Sequence, residues 1–127
     1  MYASFGEVDQ FGLDGVAVYE EAILQATKDG IKIRALVICN PHNPLGKCYP
    51  LETLKGFFKL CAKHNIHIIS DEVYGCSVFP VQSTDAVPFT SMLSIDPTGI
   101  LRNDQLHVLY GLSKVRSSIP SARKVRG

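Results

Sequence analysis

Between Val16 and Lys28 the apolar side chains Val16, Tyr19, Ile23 and Ala26 recur every three or four positions, the spacing of one helix face turned inward. Asp14 upstream is a candidate N-cap and Gly30 a stop, so the spacing predicts an amphipathic helix over 16–28. Ala35-Leu36-Val37-Ile38-Cys39 is instead a continuous apolar run, too short for a helix and ended by Asn40-Pro41. Such a run suits a strand covered on both faces. Three prolines and Gly46 make 40–50 a loop. A second helix is predicted over 51–64, with Leu54, Phe57, Phe58, Leu60 and Cys61 as its buried stripe and Asn65 near its end. Ile66–Ser70 and Leu106–Tyr110 read as strands. Prolines 80, 88 and 97 break the stretch between them into a long excursion with one short helix around Thr90–Ile95. Beyond Lys114 neither period persists.

The order helix, strand, helix, strand, excursion, strand implies an α/β layer structure, and 127 residues suffice for one domain with its own core. The strand–helix–strand unit over 35–70 should be a right-handed crossover between parallel strands. Ligands of open α/β sheets bind beyond the carboxyl ends of the strands. The first predicted strand delivers Asn40 and Asn43 there, the second Asp71 and Tyr74, the third Ser113 and Lys114. Each has a plainer alternative. An asparagine beside proline is a turn former, an aspartate after a strand a cap, a tyrosine an edge-of-core ring and a lone lysine a solvated charge. Convergence of three strand ends is more specific than any one of them.

Composition narrows the classes. A formal net charge of +1 gives no reason to expect nucleic acid or an anionic membrane as partner, and the basic residues from Lys114 to Arg126 read as a solvated tail. Cys39, Cys48, Cys61 and Cys76 lie too far apart for a C-x-x-C zinc site, and Cys39 and Cys61 fall in apolar runs as small core residues. His64 and His67 straddle a predicted helix–strand junction, which favours surface or core positions over metal ligation. Met1–Glu7 has neither the basic nor the apolar region of a signal peptide, and no stretch approaches a membrane span. A cytoplasmic chain with reduced thiols is the expectation. No G-x-G-x-x-G or G-x-x-x-x-G-K-[ST] occurs, against a nucleotide-binding module.

The convergent set matches the needs of pyridoxal phosphate. An aldehyde cofactor needs a lysine that can form a Schiff base, its pyridine nitrogen a carboxylate, its phenolic oxygen hydrogen-bond donors and its phosphate a hydroxyl or a cation. Lys114, Asp71, Asn43 with Tyr74, and Ser113 supply these in turn.

Asn40-Pro41-His42-Asn43-Pro44-Leu45-Gly46, Ser70-Asp71-Glu72-Val73-Tyr74 and Leu112-Ser113-Lys114, in this order, resemble the class I/II aminotransferases, fold-type I pyridoxal-phosphate enzymes. The first motif, Lys63–His67 and the Tyr110–Lys114 ending are most similar to 1-aminocyclopropane-1-carboxylate synthases and their fungal relatives. The resemblance runs from Asp9 to Lys114 and leaves 115–127 as a divergent tail. It implies a partial large domain over 1–127, a three-layer α/β/α arrangement on a mainly parallel sheet. It further implies Lys114 as the Schiff-base and proton-shuttling residue, Asp71 on the pyridine nitrogen, Asn43 and Tyr74 on the phenolic oxygen and Ser113 on the phosphate. Substrates would be α-amino acids, and full-length relatives would be homodimers. The phosphate arginine expected eight residues after the lysine meets Ala122, with Arg123 one place further, and Gly111 stands where the synthases often carry a serine. Segments that carry the phosphate loop, the stacking aromatic residue and the substrate-carboxylate arginine in the family have no counterpart here. The chain alone is therefore expected to be a weak or inactive catalyst; the alternative is a non-catalytic remnant or interaction partner of such an enzyme.

Overall fold

The computed structural model of the chain describes residues 2–78 and 86–111. Its first element, α1, spans Leu13–Lys28 and starts three residues before the apolar spacing does. Gly12 is the N-cap, and Asp14 lies inside the first turn, where its charge complements the helix dipole. The early start depends on Gly15, because a Cβ there would lie 2.6 Å from the Gln10 carbonyl oxygen. At the other end Gly30 takes the left-handed conformation expected just past a helix, with φ +74°.

The second helix, α2, covers Leu51–His64 as the spacing predicts. It buries Thr53, Leu54, Phe57, Phe58, Leu60 and Cys61. Asn65 ends it in the left-handed region at φ 49°, and the Ile66 amide returns to the Cys61 carbonyl at 3.0 Å, so two residues turn the chain from helix into strand. Gly56 brings the helices together: a Cβ there would meet Val16 and Leu13 of α1 at 3.2 and 3.3 Å.

Three parallel strands, β1 (Ala35–Cys39), β2 (His67–Asp71) and β3 (Leu106–Leu109), form one sheet in the order β1-β2-β3. β2 begins and ends one residue later than the apolar run suggests, and β3 stops one residue short of Tyr110. Ala35 pairs with His67 through to Cys39 with Asp71, and Ile68 with Leu106 through to Asp71 with Leu109. All three strands thus end at one level, which sets their exit loops side by side.

The even-numbered positions Leu36, Ile38 and Ile68 join Leu54, Phe57, Phe58 and Cys61 in the core. Phe57 sits edge-on to both Tyr19 and Tyr49, with ring centroids 5.4 Å away in each case. Each such fully buried ring contributes roughly 1.5–3 kcal/mol relative to exposure. The odd-numbered face differs from the expectation that β1 is covered on both sides: Val37 is 60% exposed and Leu109 54%. On the even side α2 packs against the sheet and α1 against α2, and a second covering layer is not among the described residues. The period-two burial of β1 is hidden in the sequence because Ala35, Val37 and Cys39 are as apolar as their buried neighbours.

The excursion after β2 holds short 3-10 turns at Gly75–Ser77, Met92–Ser94 and Asn103–Gln105. The helix expected around 90–95 is realised as the second of these, capped by the Ser91 hydroxyl accepting from the Leu93 amide. Met92, Ile95 and Leu101 then anchor the segment in the core. Glu72 fixes its start: one carboxylate oxygen accepts from the Ser70 hydroxyl at 3.0 Å and from the Met92 amide at 2.8 Å, wholly out of solvent.

Candidate functional site

At the carboxyl end of β1, Asn40 turns inward rather than toward a ligand. Its amide nitrogen donates to the Thr90 carbonyl at 3.0 Å and its oxygen accepts from the Tyr49 amide at 3.1 Å. With both functions engaged and no exposure, Asn40 is a brace between the loop after β1 and the excursion. Residues 42–47 form a closed loop, in which the His42 amide donates to the Lys47 carbonyl at 2.8 Å and the Gly46 amide to the His42 carbonyl at 2.7 Å. Gly46, at φ +63°, permits that closure. The loop pushes Asn43 out to the surface, above the end of β2.

Tyr74 meets it there. Asn43 Nδ2 donates to the Tyr74 hydroxyl oxygen at 3.4 Å. Tyr74 is carried by a tight turn that leaves β2, closed by Gly75 N–H to the Glu72 carbonyl at 2.8 Å. Asp71, the last residue of β2, is half-buried, and its Oδ1 accepts from the Val73 amide at 3.2 Å, which orients the carboxylate at the head of the same turn. Tyr110, just past β3, is hydrogen-bonded to Cys76. That bond pushes the Tyr110 phenol above its ordinary value and ties the exit of β3 to the turn that carries Tyr74.

Asn43 and Tyr74 open onto a cleft of about 1090 Å³ whose other walls include Phe11, His42, Lys47 and Phe89. Lys47 Nζ lies 5.7 Å from the centre of the Phe11 ring, and His42 meets the same ring edge-on at 5.6 Å. Desolvation lowers the His42 pKa, so the imidazole is neutral at pH 7. These wall residues carry no sequence signal of their own: a lone phenylalanine or histidine in a loop has no period to mark it.

Of the residues singled out from the sequence, Asn43, Asp71 and Tyr74 therefore gather at one end of the sheet. Lys114, Ser113 and Arg123 lie outside the described residues. His64 bonds Glu20 of α1 at 2.7 Å, and His67 bonds His107 at 2.9 Å. Among the described residues no group of three or more histidine, cysteine or acidic side chains could hold a metal ion. Cys61 is fully buried, its thiol pushed up to about 12 by desolvation, whereas Cys39 is half-buried with its thiol 3.2 Å from the Pro41 carbonyl. No described helix is long and apolar enough to cross a membrane.

The model of the family "Aminotransferase class I and II" matches residues 2–119. The chain belongs to that family. Its members use pyridoxal phosphate and act on amino acids. Among curated aminotransferase relatives, a probable aminotransferase of Claviceps purpurea is 42% identical over 108 residues, 84% of this chain and 24% of that protein. The 1-aminocyclopropane-1-carboxylate synthase of Nicotiana tabacum is 38% identical over 96 residues, 74% of this chain and 18% of the synthase. A human protein, named a probable inactive 1-aminocyclopropane-1-carboxylate synthase-like protein, is 38% identical over 95 residues, 75% of this chain and 16% of that one. Aspartate aminotransferase of Thermotoga maritima superposes with a TM-score of 0.53 at 34% identity, over 72% of this chain and 22% of the enzyme. That of Rhodobacter sphaeroides gives 0.59 at 22% identity, over 80% and 23%, a likeness of fold. The chain spans about a quarter or less of the length of these relatives.

Proposed function

We propose that this chain carries the cofactor-facing part of a pyridoxal-phosphate site of the aminotransferase or 1-aminocyclopropane-1-carboxylate synthase type. The observation that supports it most directly is the meeting of Asn43 with Tyr74 beside Asp71 at the carboxyl end of the sheet, in a chain whose family match extends past Lys114. The chemistry of this donor set fits the group. A carboxylate on the end of β2 suits a protonated pyridine nitrogen, and an amide beside a phenol suits a phenolate oxygen.

When bound, the cofactor supplies an electron sink at the substrate α-carbon. The chain's own residues do the rest. Asp71 holds the proton on the ring nitrogen, with its carboxylate already oriented by the Val73 amide. Asn43 and Tyr74 position the ring edge, Lys114 provides the amine that bonds the cofactor and moves a proton at the α-carbon, and Ser113 and Arg123 contact the phosphate. Substrates are α-amino acids, and the complete assembly is a cytoplasmic homodimer.

A second reading is a non-catalytic remnant or partner of such an enzyme. One observation favours it: a human relative, 38% identical over 95 residues, is named a probable inactive synthase-like protein.

Borohydride reduction of the folded chain with pyridoxal phosphate, followed by peptide mass mapping, tests the site. A covalent adduct on Lys114 is expected; labelling confined to other lysines, or none, would sink the proposal. Turnover assays with amino acids and with S-adenosylmethionine then separate an enzyme from a remnant.

A further inference from the structure

The far end of the sheet holds a second concavity with a different chemistry. Residues 30–34 lead into β1, Asn65 and Ile66 lead into β2, and Arg102 stands before the turn that enters β3. Together with the last turns of α1 and α2 they enclose about 510 Å³. Its titratable lining consists of Lys32, Arg34, Arg102, His64 and His67, with no aspartate or glutamate. In a chain of net charge +1 this is a local concentration of cations.

The three cations are not equivalent. Lys32 and Arg34 make no ion pair among the described residues. Arg102 is held in place: Nε donates to Asp104 at 3.0 Å and Nη1 to the Asn65 side-chain oxygen at 3.0 Å. Those two bonds fix the guanidinium plane and leave Nη2 with no hydrogen bond among the described residues. An immobilised fork loses less entropy on meeting an anion than a mobile side chain does.

His67 does not turn the concavity into a metal site. Its Nδ1 and His107 Nε2 lie 2.9 Å apart with ring centroids 5.1 Å apart, so the two nitrogens face each other nearly in line, as donor and acceptor. Their lone pairs do not converge on a common ion.

We infer that this cleft binds a phosphate-bearing anion, at a site separate from Asn43 and Tyr74. A doubly charged tetrahedral group can accept from the Arg34 guanidinium, from Arg102 Nη2 and from the Lys32 ammonium at once, which a single carboxylate, with one charge and two oxygens, matches less well. The two sites lie at opposite ends of the strands, which at ~3.3 Å per residue puts them on the order of 15 Å apart.

The test is a titration of the isotopically labelled chain with inorganic pyrophosphate, followed by amide chemical shifts. Saturable shifts at 30–34, 64–67 and 102 are expected. Acetate is expected to bind at least tenfold more weakly. A Lys32→Gln/Arg34→Gln double variant should lose tenfold or more in pyrophosphate affinity, and Arg102→Lys, which keeps the charge but not the fork, threefold or more. The same spectra report whether each variant is folded, and the unmodified chain tests the site without any variant. Shifts without saturation, equal binding of acetate, or unchanged affinity in the folded double variant would each overturn the inference.

Discussion

Asn43 donates to the Tyr74 hydroxyl oxygen at 3.4 Å, joining the loop after β1 to the turn after β2 across 31 residues of sequence. Asn43 is exposed and Tyr74 half-buried, and the proposed function puts both on the phenolic oxygen of the cofactor. Tyr74→Phe and Asn43→Ala are expected to weaken pyridoxal-phosphate binding by roughly three- to tenfold each, the equivalent of ~0.5–1.5 kcal/mol per hydrogen bond. Absorbance titration with the cofactor measures this. Unchanged affinity in both variants would remove the pair from the cofactor site, and urea midpoints within error of the parent would show that the effect is local.

Glu72 has the opposite character. Its neighbour Asp71 is half-exposed, but the Glu72 carboxylate is buried and holds Ser70 and Met92 with one oxygen. Glu72→Ala leaves a buried hydroxyl and a buried amide without their acceptor and is expected to cost about 2–3 kcal/mol. Chemical denaturation checks it; a loss below half a kilocalorie would mean that solvent reaches the site.

Gly75 carries the turn beneath the cleft. A Cβ there would stand 2.9 Å from the tip of the Phe89 ring. Gly75→Ala should force that ring aside, costing about 1–3 kcal/mol as an overpacked contact and reshaping one wall of the cleft. Thermal unfolding gives the first effect and altered ring resonances of Phe89 the second. Gly75→Ala with Phe89→Leu is expected to restore part of the loss.

Acid should act on the fold in two steps. The folded His42 pKa lies below its ordinary 6.5 because burial disfavours the cation. Its contribution is thus present above 6.5 and is lost as pH falls through the folded value. Glu20 is lowered from 4.5 by hydrogen bonds from Lys63 and His64, so its contribution is present above 4.5 and is lost at still lower pH. Glu20 is partly exposed and Lys63 beside it largely so, and solvent screening keeps its step below about 1 kcal/mol. Denaturant midpoints measured against pH should fall in both windows; His42→Asn should flatten the first and Glu20→Gln the second.

The elements that depend on local periodicity were legible in the sequence. The α2 boundaries follow from Pro50, the apolar stripe and Asn65, and β1 from an apolar run that stops at Asn40-Pro41. Side chains whose role is set by distant partners were not. Asn40 and Asn43 are both asparagines before proline, yet one is a buried brace to Thr90, fifty residues away, and the other a surface donor. Glu72 gives no local sign that Met92 will need its carboxylate. The exposed face of β1 was equally hidden, since an alternating burial pattern cannot be read from five consecutive apolar residues.

The strand order carries a consequence for how the molecule comes apart. β2 is the strand paired on both sides, and at its last residue the clamp continues: the Asp71 carbonyl accepts from the Asn40 amide, and the Glu72 amide donates to the Leu109 carbonyl, each at 2.9 Å. Asn43 hangs from one edge and Tyr110 from the other. Fraying at either edge of the sheet would therefore scatter the outer members of the site while the Asp71 carboxylate kept its place, and hydrogen exchange would meet the amides around it last. The group assigned to the ring nitrogen is the fixed point against which the others come and go.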